Sequence, residues 1–154
     1  MRLGLIGAAA LAMGAVLTVG SANAADEPRL TAALGDEVLK LIDIAPKGTK
    51  VLVNDAMVLE DRDSALVSFV NAYTLDGRWL LLLKAESDAK DCPARFRVLE
   101  LSSPKPRVSP PFGSCSDAAE VATDGGVMTV TMPVPASKDI AAWTYRDGRI
   151  ARTR

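Results

Sequence analysis

Histidine is absent from this chain, and its absence removes most ordinary catalytic machinery. No Ser-His-Asp or Cys-His arrangement can be assembled, and a zinc site would have to be built from carboxylates and two thiols. Cysteine is nearly as scarce. Cys92 and Cys115 are the only two, too far apart in sequence for a Cys-x-x-Cys redox pair, and no imidazole is present to lower a thiol pKa. Charge of one sign is lacking too: 18 Lys and Arg against 19 Asp and Glu leave no electrostatic footprint for a nucleic acid. The acidic stretch NDAMVLEDRDS lacks the spacing of a calcium loop, and Gly125-Gly126 lacks a phosphate-loop context. Asp43, in KLIDIAP, is the one acid in a distinctive apolar setting, and it reads as a strand end or cap. No enzyme activity, cofactor or metal is therefore expected.

What is present begins with an export signal. Met1 and Arg2 give a short positive start, Leu3 to Val19 is uncharged and apolar, and Ser21-Ala22-Asn23-Ala24 has the small-x-small pattern of a signal peptidase site. Residues 1–24 are expected to be cleaved, leaving 25–154 as a single domain of ordinary size. No cysteine follows the apolar run to carry a lipid, and no second run approaches spanning length, so the mature chain is expected to be soluble and periplasmic.

Within the mature region, turn signals recur between short apolar runs, the pattern of antiparallel strands. ALVSFVNAYT and WLLLLKA flank Asp76-Gly77, which predicts a hairpin through a type I′ turn. Leu80 to Leu83 offer no polar face, so this strand is expected to be central and covered on both sides. Asp124-Gly125-Gly126 precedes the alternating VMTVTM, and Asp147-Gly148 predicts a last hairpin pairing Arg146 with Arg149 and Tyr145 with Ile150. Lys50 to Val53 and Met57 to Glu60 are further strand candidates. Residues 30–44 fit either a short helix, interrupted at Gly35, or a strand. The fold class is all-β, a hairpin-rich sandwich or a propeller-like sheet, although no fixed repeat period is found. Glu60, Asp61 and Asp63 read as a solvated acidic turn, and Arg146, Arg149, Arg152 and Arg154 as a solvated basic tail.

An exported chain with two cysteines is expected to join them. If Cys92 and Cys115 face each other across a hairpin, the turn centres on Ser103-Pro104, where serine and proline are concentrated. The same register sets Glu100 opposite Arg107 and Leu99 opposite Val108. Pro106, Pro110 and Pro111 cannot donate ladder hydrogen bonds, so the second arm is expected to be an edge strand or irregular. Phe96 and Val98 change phase to Leu99 and Leu101, which a bulge near Val98 would reconcile. Closing about 24 residues stabilises a fold by roughly 3 kcal/mol in the chain-entropy picture.

A hairpin braced at its base is pre-organised for binding. Ser102, Ser103 and Ser114 could supply hydroxyls, and Phe112 an aromatic anchor. CPARFRVLELS, VSPPFGSCSD and GGVMTVTMP, spanning residues 92–133, resemble small exported bacterial immunity proteins that neutralise peptidoglycan-cleaving effectors of type VI secretion, particularly amidases. That resemblance implies a periplasmic all-β inhibitor whose loop enters the cleft of a cysteine amidase. The loop around Ser102, Ser103, Pro104 and Lys105 is then the first choice of contact, and the stretch from Ser109 through Phe112 to Ser114 the second. A lysozyme inhibitor or general envelope-binding module is the alternative. A carboxylate-dependent hydrolase would instead need two buried acids about 5 to 10 Å apart in one cleft.

Overall fold

The computed structural model describes residues 27–101 and 105–154, and every regular element within them is a strand. Local turn chemistry places the hairpins. Asp76 and Gly77 take φ of 49° and 74°, and Asp147 and Gly148 take 49° and 80°. Both pairs are the positive-φ centres that a tight two-residue connection needs. The expected hairpins follow: β5 (Leu66–Leu75) with β6 (Arg78–Glu86), and β11 (Ile140–Arg146) with β12 (Arg149–Arg152), the latter pairing Arg146 with Arg149 and Tyr145 with Ile150. At the third turn, Gly125 and Gly126 connect β9 (Glu120–Asp124) to β10 (Val127–Pro133).

The N-terminal segment corrects the helical option. Leu30–Leu34 forms β1 and Glu37–Asp43 forms β2, joined across Gly35 in the left-handed region at φ 63°. The spacing that fits one helical face also fits alternation: Ala32 and Leu34 on β1, and Leu39 and Leu41 on β2, enter one core. Gly35, a defect in a helix, is what a hairpin turn requires. β3 (Thr49–Val53) and β4 (Ala56–Asp61) complete this first sheet, with a register shift between Val51 and Leu52.

Three four-stranded antiparallel meanders result, in the orders β1-β2-β3-β4, β5-β6-β7-β8 and β12-β11-β10-β9. Here β7 is Ala94–Leu101 and β8 is Arg107–Val108. The meanders begin at Leu30, Leu66 and Glu120, spacings of 36 and 54 residues. Unequal connections therefore hide the architectural repetition from any search for a fixed period.

The middle sheet is covered on both faces. Leu81, Leu83, Leu99 and Leu101 pack against Leu39, Leu41, Val51 and Val53 of the first sheet. Leu80, Leu82, Phe96 and Val98 pack against Met128, Val130, Met132, Trp143 and Tyr145 of the third. Burial on both faces explains the leucine run of β6, as expected. It also explains the phase change in β7. The β6–β7 register runs unbroken from Trp79↔Leu101 to Glu86↔Ala94, so there is no bulge at Val98; the strand feeds two cores.

The hairpin turns of the three sheets gather at one end of the stack. A Cβ added to Gly35 would lie 3.3 Å from Trp79 Nε1, one on Gly126 2.9 Å from Asp76, and one on Gly148 2.9 Å from Arg107. The β6–β7 connection, which carries Cys92, and the β8–β9 connection, which carries Cys115, occupy the other end.

Candidate functional site

The segment singled out by its cysteines is a hairpin whose arms have unequal character. Leu99↔Val108 and Glu100↔Arg107 pair in the expected register. Nearer the base, Phe96 bridges Phe112, so the second arm carries one extra residue over Ser109–Pro110–Pro111. The irregularity falls there because two consecutive prolines have no N–H to give the ladder. Ser109 substitutes for them. Its N–H donates to Val98 O at 2.8 Å, its hydroxyl accepts the Val98 N–H at 2.9 Å and donates to Pro110 O at 2.9 Å. Arg97 donates to Ser109 O and Arg95 to Gly113 O, tying the irregular arm to β7. Cys92 and Cys115 are disulfide-bonded with Cα atoms 4.4 Å apart, outside the ladder at its base.

Towards the tip, Glu100 is fully buried and both its oxygens are occupied. Oε1 accepts from Arg78 at 3.0 Å and from Arg107 at 2.9 Å, and Oε2 accepts the Tyr145 hydroxyl at 2.5 Å. Burial alone would raise its pKa, but the hydrogen bonds from Tyr145 and Arg107 and the charges of Arg107 and Arg78 outweigh it, and the net shift is downward. Burial and the Glu100 carboxylate push Tyr145 upward, well above the ordinary phenol range. Glu100 stays ionised and Tyr145 protonated near neutral pH, so this pair is a clamp between the middle and third sheets, unsuited to proton exchange. Among the described residues the other buried acid is Asp61. Its oxygens accept from the Asp63 and Ser64 N–H groups and from the Ser64 hydroxyl, closing the turn after β4 on a different sheet.

These placements redistribute the expected contact residues. Ser102, Ser103 and Pro104 lie outside the described residues. Lys105 is exposed where the second arm begins. Phe112 is corrected from an exposed anchor to a core residue: it is 5% exposed, its ring 5.8 Å from that of Trp143. Ser109 is likewise 2% exposed and committed to the backbone of its own hairpin. Ser114 donates to Pro133 O at 2.7 Å, linking the hairpin base to β10.

An unanticipated feature lies beside the tip. Lys105, Pro106 and Val108 line an open recess with Ala56, Met57 and Val58 of β4. Met57 is 58% exposed, the highest value among the large apolar side chains left exposed. Its outward position follows from the β3–β4 register shift, after which Met57 pairs with Leu52. Neither Met57 nor the third-sheet partner Tyr145 could be joined to the hairpin from sequence, because each belongs to a separate meander. No family model, curated protein or solved structure matches the chain.

Proposed function

We propose that the protein is an exported inhibitor of a peptidoglycan-cleaving amidase, an immunity protein of the type VI secretion class. The β7–β8 hairpin and the recess beside it form the contact surface. The disulfide is consistent with export to an oxidising compartment. The observation that carries the binding role is the bracing of this hairpin. Its base is closed by Cys92–Cys115, its irregular arm by Ser109, and its tip end by the Arg107–Glu100 pair. An element fixed at three levels loses little conformational entropy on entering a cleft, so more of its contact energy appears as affinity. Exposed Met57 and Lys105 adjoin the tip and extend the contact onto the first sheet.

The test is inhibition. Purified protein, without residues 1–24, is added to purified peptidoglycan amidases of the type VI effector class, any encoded beside its gene first, and release of peptidoglycan fragments is followed. Equimolar protein is expected to abolish hydrolysis and to co-elute with the amidase. Full hydrolysis in a tenfold excess of protein removes the proposal. Inhibition of lysozyme in its place transfers the same surface to the alternative reading.

A further inference from the structure

Sequence alone reads Arg146, Arg149, Arg152 and Arg154 as a solvated tail, but tertiary structure divides them. Arg152 folds its guanidinium over Trp143, 5.7 Å from the ring centroid, and donates to Arg154 O. Arg146 and Arg149 instead sit directly opposite each other across β11 and β12, both exposed, on the outer face of the third sheet. Neither guanidinium has an ion-pair or hydrogen-bond partner among the described residues. Like charges directly opposite on a sheet are destabilising, and the one acid lining the recess with them, Asp147, forms no ion pair with either. The charge of Asp147, in the same turn, also helps to hold Arg107 protonated, after the larger effect of Glu100. Arg107 reaches the turn from the other side, its Nη1 2.9 Å from where a Gly148 Cβ would stand. A side chain at Gly148 would have to displace the Arg107 guanidinium.

The two arginines line a recess with Thr144, Asp147 and Ala151. Its floor is made of short side chains, so a protein surface can approach the guanidinium groups closely. Arg107, on the second arm of the proposed inhibitory hairpin, lies against Gly148 of the turn between the two arginines.

We infer that Arg146 and Arg149 form a second contact point that receives an acidic cluster of Asp or Glu side chains on the protein partner, beside the cleft the hairpin occupies. Guanidinium groups suit this role because each offers a planar fork of donors that matches a carboxylate. The inference deepens the function proposed above and rests on it for the identity of the partner. It is independent of that function in its chemistry.

The experiment compares wild type with the R146Q/R149Q variant, which removes both charges while leaving the turn and the Glu100 clamp intact. Hexaglutamate peptide, inorganic phosphate and phosphatidylglycerol vesicles are titrated in low salt, and amidase association is timed across a salt series. Hexaglutamate is expected to bind wild type at least about tenfold more tightly, with the difference lost at high salt. Amidase association is expected to slow by about tenfold in the variant and to lose most of its salt dependence. The variant is expected to melt no lower than wild type, since a like-charge pair is removed. Equal hexaglutamate binding by the two proteins overturns the inference, as does a preference for vesicles or phosphate over the peptide. An amidase that associates equally fast with both proteins overturns it and leaves the inhibitory hairpin standing. An amidase that binds neither protein overturns the proposed function, while the hexaglutamate difference still decides the chemistry of the arginine pair.

Discussion

The two faces of the middle sheet are built from different materials. Against the first sheet, the core is aliphatic: Leu81, Leu83, Leu99 and Leu101 meet Leu39, Leu41, Val51 and Val53. Against the third sheet, the core contains Phe96, Phe112, Trp143 and two methionines, and at one end the ionised Glu100 held by Tyr145, Arg78 and Arg107. The aliphatic interface is held mainly by burial, which is non-directional and indifferent to small shifts, with hydrogen bonds at its margin, where Val67 N–H donates to the Thr49 hydroxyl and Arg29 donates to Val67 O. The mixed interface fixes a register, because a buried carboxylate is tolerated only where its particular donors are placed. That directional interface is the one that anchors the hairpin.

Breaking the clamp gives the largest expected effect. Glu100→Ala leaves the Tyr145 hydroxyl unpartnered and removes the common acceptor of two arginines, for a loss of about 3 to 5 kcal/mol in chemical denaturation. The paired variant Glu100→Leu/Tyr145→Phe replaces the whole interaction with apolar groups and is expected to recover most of that loss while weakening amidase inhibition. If the double variant were as unstable as Glu100→Ala, specific electrostatics would not be what distinguishes the two faces.

On the aliphatic face, Leu81→Ala is expected to cost about 3 kcal/mol from transfer and cavity terms together, with inhibition of the amidase unchanged at temperatures where the variant is folded. Similar in size, reduction of Cys92–Cys115 is expected to lower stability by roughly 3 kcal/mol, read as a fall in melting temperature with reductant. Unlike Leu81→Ala it is also expected to reduce inhibition, since it loosens the base of the hairpin. Ser109→Ala follows at about 1 to 2 kcal/mol, because the buried Val98 N–H loses its acceptor.

Acid and base should separate the faces most finely. The folded pKa of Glu100 lies below its unfolded value, so its contribution is complete above the ordinary carboxylate pKa of about 4.3 and is lost as pH falls through the depressed folded value. The folded pKa of Tyr145 lies above its unfolded value, so its contribution is complete below about pH 10 and declines as pH rises further. Stability profiles of wild type and Glu100→Leu/Tyr145→Phe are therefore expected to diverge at both extremes and run parallel between them. Parallel profiles throughout would show that the clamp contributes nothing that depends on ionisation.

The Asp-Gly hairpins were legible because each rests on a local rule. Asp-Gly supplies positive φ at a two-residue turn, and alternation decides which side chains are buried. The Leu99↔Val108 register was legible for a similar reason: serine and proline mark the centre of the turn, and two arms of one hairpin must pair about it. The segment 30–44 was ambiguous because apolar residues at the same few positions satisfy both periodicities, and only the partner strand β3 chooses between them. Phe112 was misjudged because a proline-rich irregular arm reads as surface, whereas the Ser109 clamp turns that arm back over the third sheet. Met57 and Tyr145 lay beyond reach because their proximity to the hairpin is set by how separate meanders stack.

The sequence by itself determined the all-β class, the Asp-Gly hairpins, the registers of the last hairpin and of Leu99 with Val108, and the link between Cys92 and Cys115, since these follow from dihedral preference, alternation and redox chemistry within short stretches of chain. Tertiary structure alone decided which residues from different meanders meet. Glu100 finds Tyr145 of β11 and Arg78 of β6, Arg107 reaches the turn at Gly148, and Arg146 and Arg149 are left facing each other without an ion pair among the described residues. The reason is physical: burial of apolar area drives sheets together with little regard to pairing, so the contacts that specify one arrangement are the few directional ones that only the assembled stack brings within reach.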